Sequence, residues 1–141
     1  MLLGLDPLLS PDLLHALAAM GHGDRIVLVD ANYPATRGRR LITLPGTGVV
    51  RTLEAVLSLL PCDTFVPDPA AIMQVVGDVA AVPPVVAEMN AVLAARGWPE
   101  AVGMERHAFY AAAEGAYAIV QTGERRFYGN ILLTKGVIPP E

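Results

Sequence analysis

The residues able to do chemistry stand apart from an otherwise apolar chain. His22 lies between Gly21 and Gly23 and is followed by Asp24. Asp30 ends the run Ile26-Val27-Leu28-Val29. Far downstream come Arg106 and then Tyr128-Gly129-Asn130. Each cluster sits where an apolar-periodic element stops, the place where a scaffold displays working side chains. Together they supply an imidazole, a carboxylate, a guanidinium, a phenol and an amide. That set suits a small polyhydroxylated ligand and contains a proton shuttle.

Each member has a functional and a structural reading. A histidine between glycines is accessible, and an imidazole is the side chain best suited to general acid or base work. It could instead cap the carbonyls of the helix before it. Asp24 or Asp30, if close to the ring, would favour its charged form. Asp30 occupies the end of a strand, where α/β sheets gather ligands. It could equally form the turn into Ala31-Asn32-Tyr33-Pro34. Asp24 reads more simply as a solvated turn residue beside Arg25. Arg106 offers a fork of donors for sugar hydroxyls, or a surface ion pair. Tyr128 and Asn130, two apart on a strand, would project to one side, with Gly129 allowing close backbone approach. Their structural reading is a packing aromatic beside a turn asparagine.

Other chemistries find less support. Gly21-His22-Gly23 lacks the glycine spacing and lysine of a phosphate loop. His22, Asp24 and Asp30 could in principle hold a divalent metal, but His15 falls on a helix and His107 is remote, so no complete ligand spacing emerges. There is no Gly-x-Ser-x-Gly elbow, and Cys62 has no nearby histidine to activate it. No metal or cofactor is expected.

The elements that must position these residues follow from periodicity and punctuation. Ser10-Pro11 opens a helix through Leu13, Leu14, Leu17 and Met20, with Gly21 as its left-handed stop. Strands are expected at Ile26–Val29 and Leu41–Leu44, with a loop from Pro34 to Arg40 between them. A helix should span about Thr47 to Leu60 and end at Pro61. Ala71–Val76 reads as a strand. Pro83-Pro84 starts a helix through Val86, Met89 and Leu93 that Gly97 ends. Ala101–Met104 is a short strand, His107–Glu114 an alanine-rich helix. Tyr117–Gln121 and Gly129–Leu133 are the last strands. The alternation predicts one α/β layered domain over residues 1–141, its helices flanking a sheet. The last two strands lack a helix between them, so some antiparallel pairing and a mixed sheet are expected.

Bulk composition narrows the class. The 141 residues are 53% hydrophobic and 17% charged, which implies that some apolar surface faces other subunits. A formal net charge of -4 argues against a nucleic-acid binder. The basic stretch Arg37-Gly38-Arg39-Arg40 lacks aromatic interleaving and fits solvation or subunit pairing. The single cysteine, Cys62, fits a reducing compartment. No stretch reads as membrane-spanning and the leucine-rich start lacks a basic leader, so a cytoplasmic protein is expected.

The motifs together resemble the ribose pyranase/fucose mutarotase family. The segments that carry the resemblance are Ser10-Pro11-Asp12-Leu13-Leu14, Met20-Gly21-His22-Gly23-Asp24, Asp30-Ala31-Asn32-Tyr33-Pro34-Ala35, Arg106, Ala108-Phe109-Tyr110, Thr122-Gly123-Glu124-Arg125 and Tyr128-Gly129-Asn130-Ile131-Leu132-Leu133. Arg106 and the glycine between Tyr128 and Asn130 are similar to the fucose branch; ribose pyranases tend to carry histidine and alanine there. The resemblance implies a metal-free isomerase with His22 as proton donor. It implies sugar binding by Asp30, Arg106, Tyr128, Gly129 and Asn130. It also implies a ring-shaped homo-oligomer, commonly a decamer, with sites near subunit boundaries. Asn32, His107 and the loop from Thr36 to Arg40 depart from the pattern and bear on which monosaccharide, fucose or ribose-like, is preferred. The alternative function is a non-catalytic monosaccharide-binding accessory of an uptake system.

Overall fold

Proline and glycine set the helix limits. The computed structural model describes residues 1–141. Helix α1 (Pro11–Ala19) begins with Pro11 in its first turn, and the Ser10 hydroxyl accepts the Leu13 N–H at 3.3 Å. It ends at Met20, and the left-handed glycine that follows is Gly23 (φ 85°), not Gly21 as expected from the sequence. Strand β1 (Arg25–Val29) leads through a short 3-10 turn (Ala35–Arg37) to β2 (Leu41–Leu44). Helix α2 (Val49–Leu57) is shorter than its apolar pattern. Gly48 is still extended, and the chain from Ser58 to Leu60 closes in turn-like hydrogen bonds. Strand β3 (Ala70–Met73) stops early because the chain folds at Val75–Asp78, where Gly77 has φ 80°. Then come α3 (Pro84–Ala95), β4 (Val102–Met104), α4 (Arg106–Gly115), β5 (Ala118–Thr122) and β6 (Ile131–Thr134).

The six strands form one mixed sheet in the order β2-β5-β1-β6-β3-β4. β1 pairs parallel with β5, β5 with β2, and β3 with β4. β6 is antiparallel to both of its neighbours, β1 and β3. The expected antiparallel pairing therefore exists, but β6 makes it with β1 and β3, and β1 separates it from β5. Every strand except β6 runs one way. The carboxyl ends of β1, β3, β4 and β5 thus meet the start of β6 at one end of the sheet.

Alternating side chains build two unequal cores. Ile26, Leu28, Val120, Ile131 and Leu133 pack under α1, α2 and α3. Val27, Val29, Ile119 and Leu132 face the other way, toward Phe109 and Ala113 of α4. Phe109 is fully buried, so Phe109→Ala would cost about 3–5 kcal/mol. That packing anchors the helix whose first residue is Arg106. No helix is long and apolar enough to cross a membrane.

Candidate active site

A cleft of about 230 Å³ opens at the carboxyl end of the parallel strands. Its walls include Asp30 after β1, Met73 at the end of β3, Arg106 after β4, and Phe127, Tyr128 and Asn130 before β6. The sheet order explains the convergence. β6 lies between β1 and β3, so its approach segment passes over the ends of both.

Asp30 is fixed from both sides. Its backbone N–H donates to Asn130 Oδ1 at 2.9 Å, and its own Oδ1 accepts the Asn32 N–H at 2.9 Å. It is therefore a turn former and a cleft residue at once. Burial pushes its carboxyl above the ordinary aspartate range, opposed by hydrogen bonds from Asn32, Asn130 and Tyr33. With Asn130 Oδ1 occupied, the amide keeps N–H donors for other partners.

Tyr128 has φ 65°, a left-handed conformation rare for a bulky residue. Such strain, roughly 1–3 kcal/mol, persists only where the surroundings enforce it. Here the Tyr128 hydroxyl accepts the Val76 N–H at 3.1 Å. Tyr128 and Asn130 do face one cleft, but not by strand alternation as the sequence suggests. β6 begins at Ile131, and the turn at Tyr128 brings the phenol round. Gly129 has a packing role in addition to the one expected. A Cβ there would lie 2.8 Å from Glu124 Cγ and 3.3 Å from Val49 Cγ1, so it serves packing behind the cleft.

Glu124 supports that packing. It is buried, and its carboxylate accepts from Arg126 Nε at 3.0 Å and from the Arg126 backbone N–H at 3.1 Å. The Arg126 guanidinium holds its carboxyl below the ordinary glutamate value, against the upward pull of burial. Arg126 also pairs with Glu88. By contrast, Arg106 takes part in none of the ion pairs, which join His22–Asp63, Arg51–Asp6, Arg126–Glu88 and Arg126–Glu124. Arg106 lines the cleft, and no hydrogen bond within the chain engages its guanidinium. The glutamate before it, Glu105, caps α4 by accepting the Ala108 N–H at 3.0 Å.

His22 is not in this cleft. It precedes β1, whereas Asp30 follows it. The five residues of β1 at roughly 3.3 Å each put on the order of 17 Å of strand between the two ends. His22 instead pairs with Asp63, with Nε2 3.1 Å from Oδ1. Phe65 packs against the imidazole, ring centroids 5.4 Å apart. The helix carbonyls that His22 could have capped are taken by Lys135, whose Nζ donates to Leu17 O at 2.7 Å and Met20 O at 2.6 Å. Asp24 accepts the Gly21 N–H at 2.8 Å and so closes the local turn. His22, Asp24 and Asp30 do not converge on a point where they could share a metal ion.

Six residues of the cleft lie outside the expected set: Asn32, Tyr33 and Pro34 from the turn after Asp30, and Met73, Tyr110 and Phe127. Met73 reads as an ordinary strand residue. Tyr110 sits one turn beyond Arg106 on α4, and helical spacing was the available signal. Phe127 lies beside Tyr128 and is 73% exposed, although nothing in its neighbours distinguishes it from a loop aromatic. The cleft as a whole offers hydrogen-bond donors, one carboxyl and apolar walls, an arrangement suited to a small polar molecule with an apolar side.

Comparison with known proteins places these features in a family. The RbsD / FucU transport protein family matches residues 3–138. A fucose mutarotase of Bos taurus is 45% identical, covering 98% of this chain and 95% of its own length. An L-fucose mutarotase of Actinobacillus pleuropneumoniae is 44% identical over 99% of both chains. The crystal structure of the fucose mutarotase from Streptococcus pneumoniae, in complex with L-fucose, superposes with a TM-score of 0.92 at 37% identity, covering 98% of this chain and all (100%) of that one. Bacillus subtilis RbsD complexed with D-ribose shares the fold alone, with a TM-score of 0.74 at 22% identity over 93% of this chain and 95% of that one. On its sequence and its fold, the chain belongs to the RbsD / FucU family.

Proposed function

We propose that this protein is an L-fucose mutarotase, a cofactor-independent isomerase that interconverts the α and β anomers of the free sugar in the cytoplasm. The observation that carries the reading is the strand-end cleft, where Arg106, Asn130, Asp30 and Tyr128 gather beside the apolar Met73 and Phe127. A 6-deoxy sugar has matching faces: hydroxyls on one side and a methyl group on the other. Full-length relatives named as fucose mutarotases support the same substrate.

Anomer exchange requires one group to take the proton of the anomeric hydroxyl while another protonates the ring oxygen. The C1–ring oxygen bond breaks to give an open-chain aldehyde. Rotation about C1–C2 presents the other carbonyl face, and the two proton transfers reverse as the ring closes. His22 is the principal proton carrier, an assistance of about 100-fold or more. Arg106, Asn130 and the backbone around Gly129 hold the sugar. Asp30 binds a hydroxyl, and Tyr128 relays the second proton. The same open-chain intermediate permits pyranose/furanose exchange.

His22 cannot reach the cleft of its own chain, so the working site combines two copies: the cleft of one and His22 of a neighbour. Exposed phenylalanines flank both halves, Phe127 at the cleft and Phe65 (75% exposed) against His22. Val76, Val79 and Ile138 add further exposed apolar surface, as expected for faces covered on assembly. A closed ring, a decamer in the favoured form, repeats this head-to-tail contact around its axis.

Magnetisation-transfer NMR on L-fucose and D-ribose tests the reaction. Accelerated exchange of the fucose anomers is expected. The absence of a histidine from the cleft of a single chain favours one other reading, a binding accessory. Saturable sugar binding without faster exchange would establish that reading instead.

A further inference from the structure

The carboxylate paired with His22 is Asp63, a residue 41 positions away in sequence and almost completely buried (side chain 3% exposed). The pairing is built by backbone. Lys135 and Gly136, just beyond β6, tie two loops together. On one side the Gly23 N–H donates to Lys135 O at 2.8 Å, and the Lys135 N–H donates to Asp24 O at 2.9 Å. On the other, Cys62 bridges to Lys135, and the Gly136 N–H donates to Pro61 O at 2.8 Å. Gly136 must lack a side chain, because a Cβ there would lie 2.2 Å from Cys62 O and 2.7 Å from Asp63 Cα. The His22 loop and the Asp63 loop are thereby held in fixed relation.

Within this frame a single oxygen, Asp63 Oδ1, receives both the Phe65 N–H at 3.0 Å and His22 Nε2 at 3.1 Å. The Phe65 N–H, with His22 adding to it, holds the Asp63 carboxyl below the ordinary aspartate range despite burial. An ionised carboxylate only accepts hydrogen bonds. In the neutral imidazole the nitrogen facing it must then carry the proton, and the other nitrogen carries the lone pair. The remaining charged groups around the pair are Asp24, which is turned to Gly21 N, Lys135, which is turned to the end of α1, and Arg25 and Asp68, which share a depression with Asp63.

We propose that Asp63 is the positioning residue of the reaction: it fixes His22 as the Nε2–H tautomer, so that Nδ1 exchanges the proton with the sugar. Asp63 steadies the ring when Nδ1 is protonated and touches no substrate itself. The assignment rests on His22 being the proton carrier. It differs from a purely structural role because it specifies which nitrogen works.

The test uses the full-length protein with 15N-labelled histidine, together with exchange NMR on L-fucose. In the wild type, at a pH where the imidazole is neutral, the His22 nitrogen shifts should report protonated Nε2 and bare Nδ1. Asp63→Asn, whose amide can present either a donor or an acceptor, should lose the tautomer preference. It should also lower kcat roughly tenfold or more with little change in KM, and Asp63→Glu should recover part of the rate. A wild-type ring protonated at Nδ1 would overturn the proposal without any variant, so misfolding of a mutant cannot shelter it. A fully active Asp63→Asn beside an inactive His22→Ala would overturn the role of Asp63 alone. A fully active His22→Ala would instead defeat the underlying reading of His22.

Discussion

The two ends of β1 solve different problems. At its carboxyl end Asp30, Asn130, Tyr128 and Arg106 converge from three segments of chain, and tight packing at Gly129 and a strained Tyr128 hold them. At its amino end a single imidazole rests on one buried carboxylate and otherwise faces outward, its side chain 44% exposed. The first region is a receptacle that is nearly complete within one chain. The second is a poised group with nothing beside it to act on. On the proposed reading, this division of binding from proton transfer along one strand would make assembly a condition for catalysis.

Substitutions at the two ends should therefore fail in different ways. The largest effect belongs to His22→Ala, which should cut anomer exchange about 100-fold or more while sugar binding and thermal stability stay near wild type. Exchange NMR with a binding titration measures both. Loss of binding to the same degree would erase the distinction between the ends.

Gly129→Ala sharpens the comparison from the receptacle side. Its methyl group would press on Glu124 and Val49, costing about 1–3 kcal/mol and displacing Asn130. Denaturant unfolding should show the loss, and sugar affinity should fall with it. An unchanged midpoint would mean that the packing behind the cleft yields easily.

The two acids of this end should respond to pH with opposite signs. Glu124 has a lowered value, so its contribution is present above the ordinary 4.5 and is lost as pH falls through the folded value. Glu124→Gln should cost about 1 kcal/mol at neutral pH, a figure limited by the exposure of Arg126, and the difference from wild type should shrink in acid. Asp30 has a raised value. Its burial penalty is absent below the ordinary 3.8 and complete above the folded value. Asp30→Asn should give the smallest effect of the series, a slight gain in stability at neutral pH that disappears in acid, at the expense of sugar binding. Urea midpoints across pH 3 to 7, roughly the span where carboxylates titrate, check both signs.

Much of this was legible in the sequence, for local reasons. Pro11, Pro84 and Gly97 punctuate helices, and Val-Ile-Leu runs mark strands, so the elements and the α/β class follow from short-range rules. What was not legible depends on pairing at long range. Nothing local tells β6 to enter between β1 and β3, yet that insertion brings Asn130 to Asp30. His22 and Asp30 lie eight positions apart and read as one cluster, although a strand between them carries them to opposite ends. Asp63 carried no signal at all in Pro61-Cys62-Asp63-Thr64-Phe65, because its partner is supplied through the strap at Lys135 and Gly136.

The most direct test of a site shared between copies is complementation. His22→Ala and Asp30→Ala chains, each inactive alone, are unfolded together and reassembled in equal amounts. If His22 of one copy serves the cleft of the next, about a quarter of the sites combine two intact halves, and that fraction of wild-type exchange should return. If each chain uses its own His22 and Asp30, every site keeps one lesion, and activity no higher than that of the parents would contradict the account.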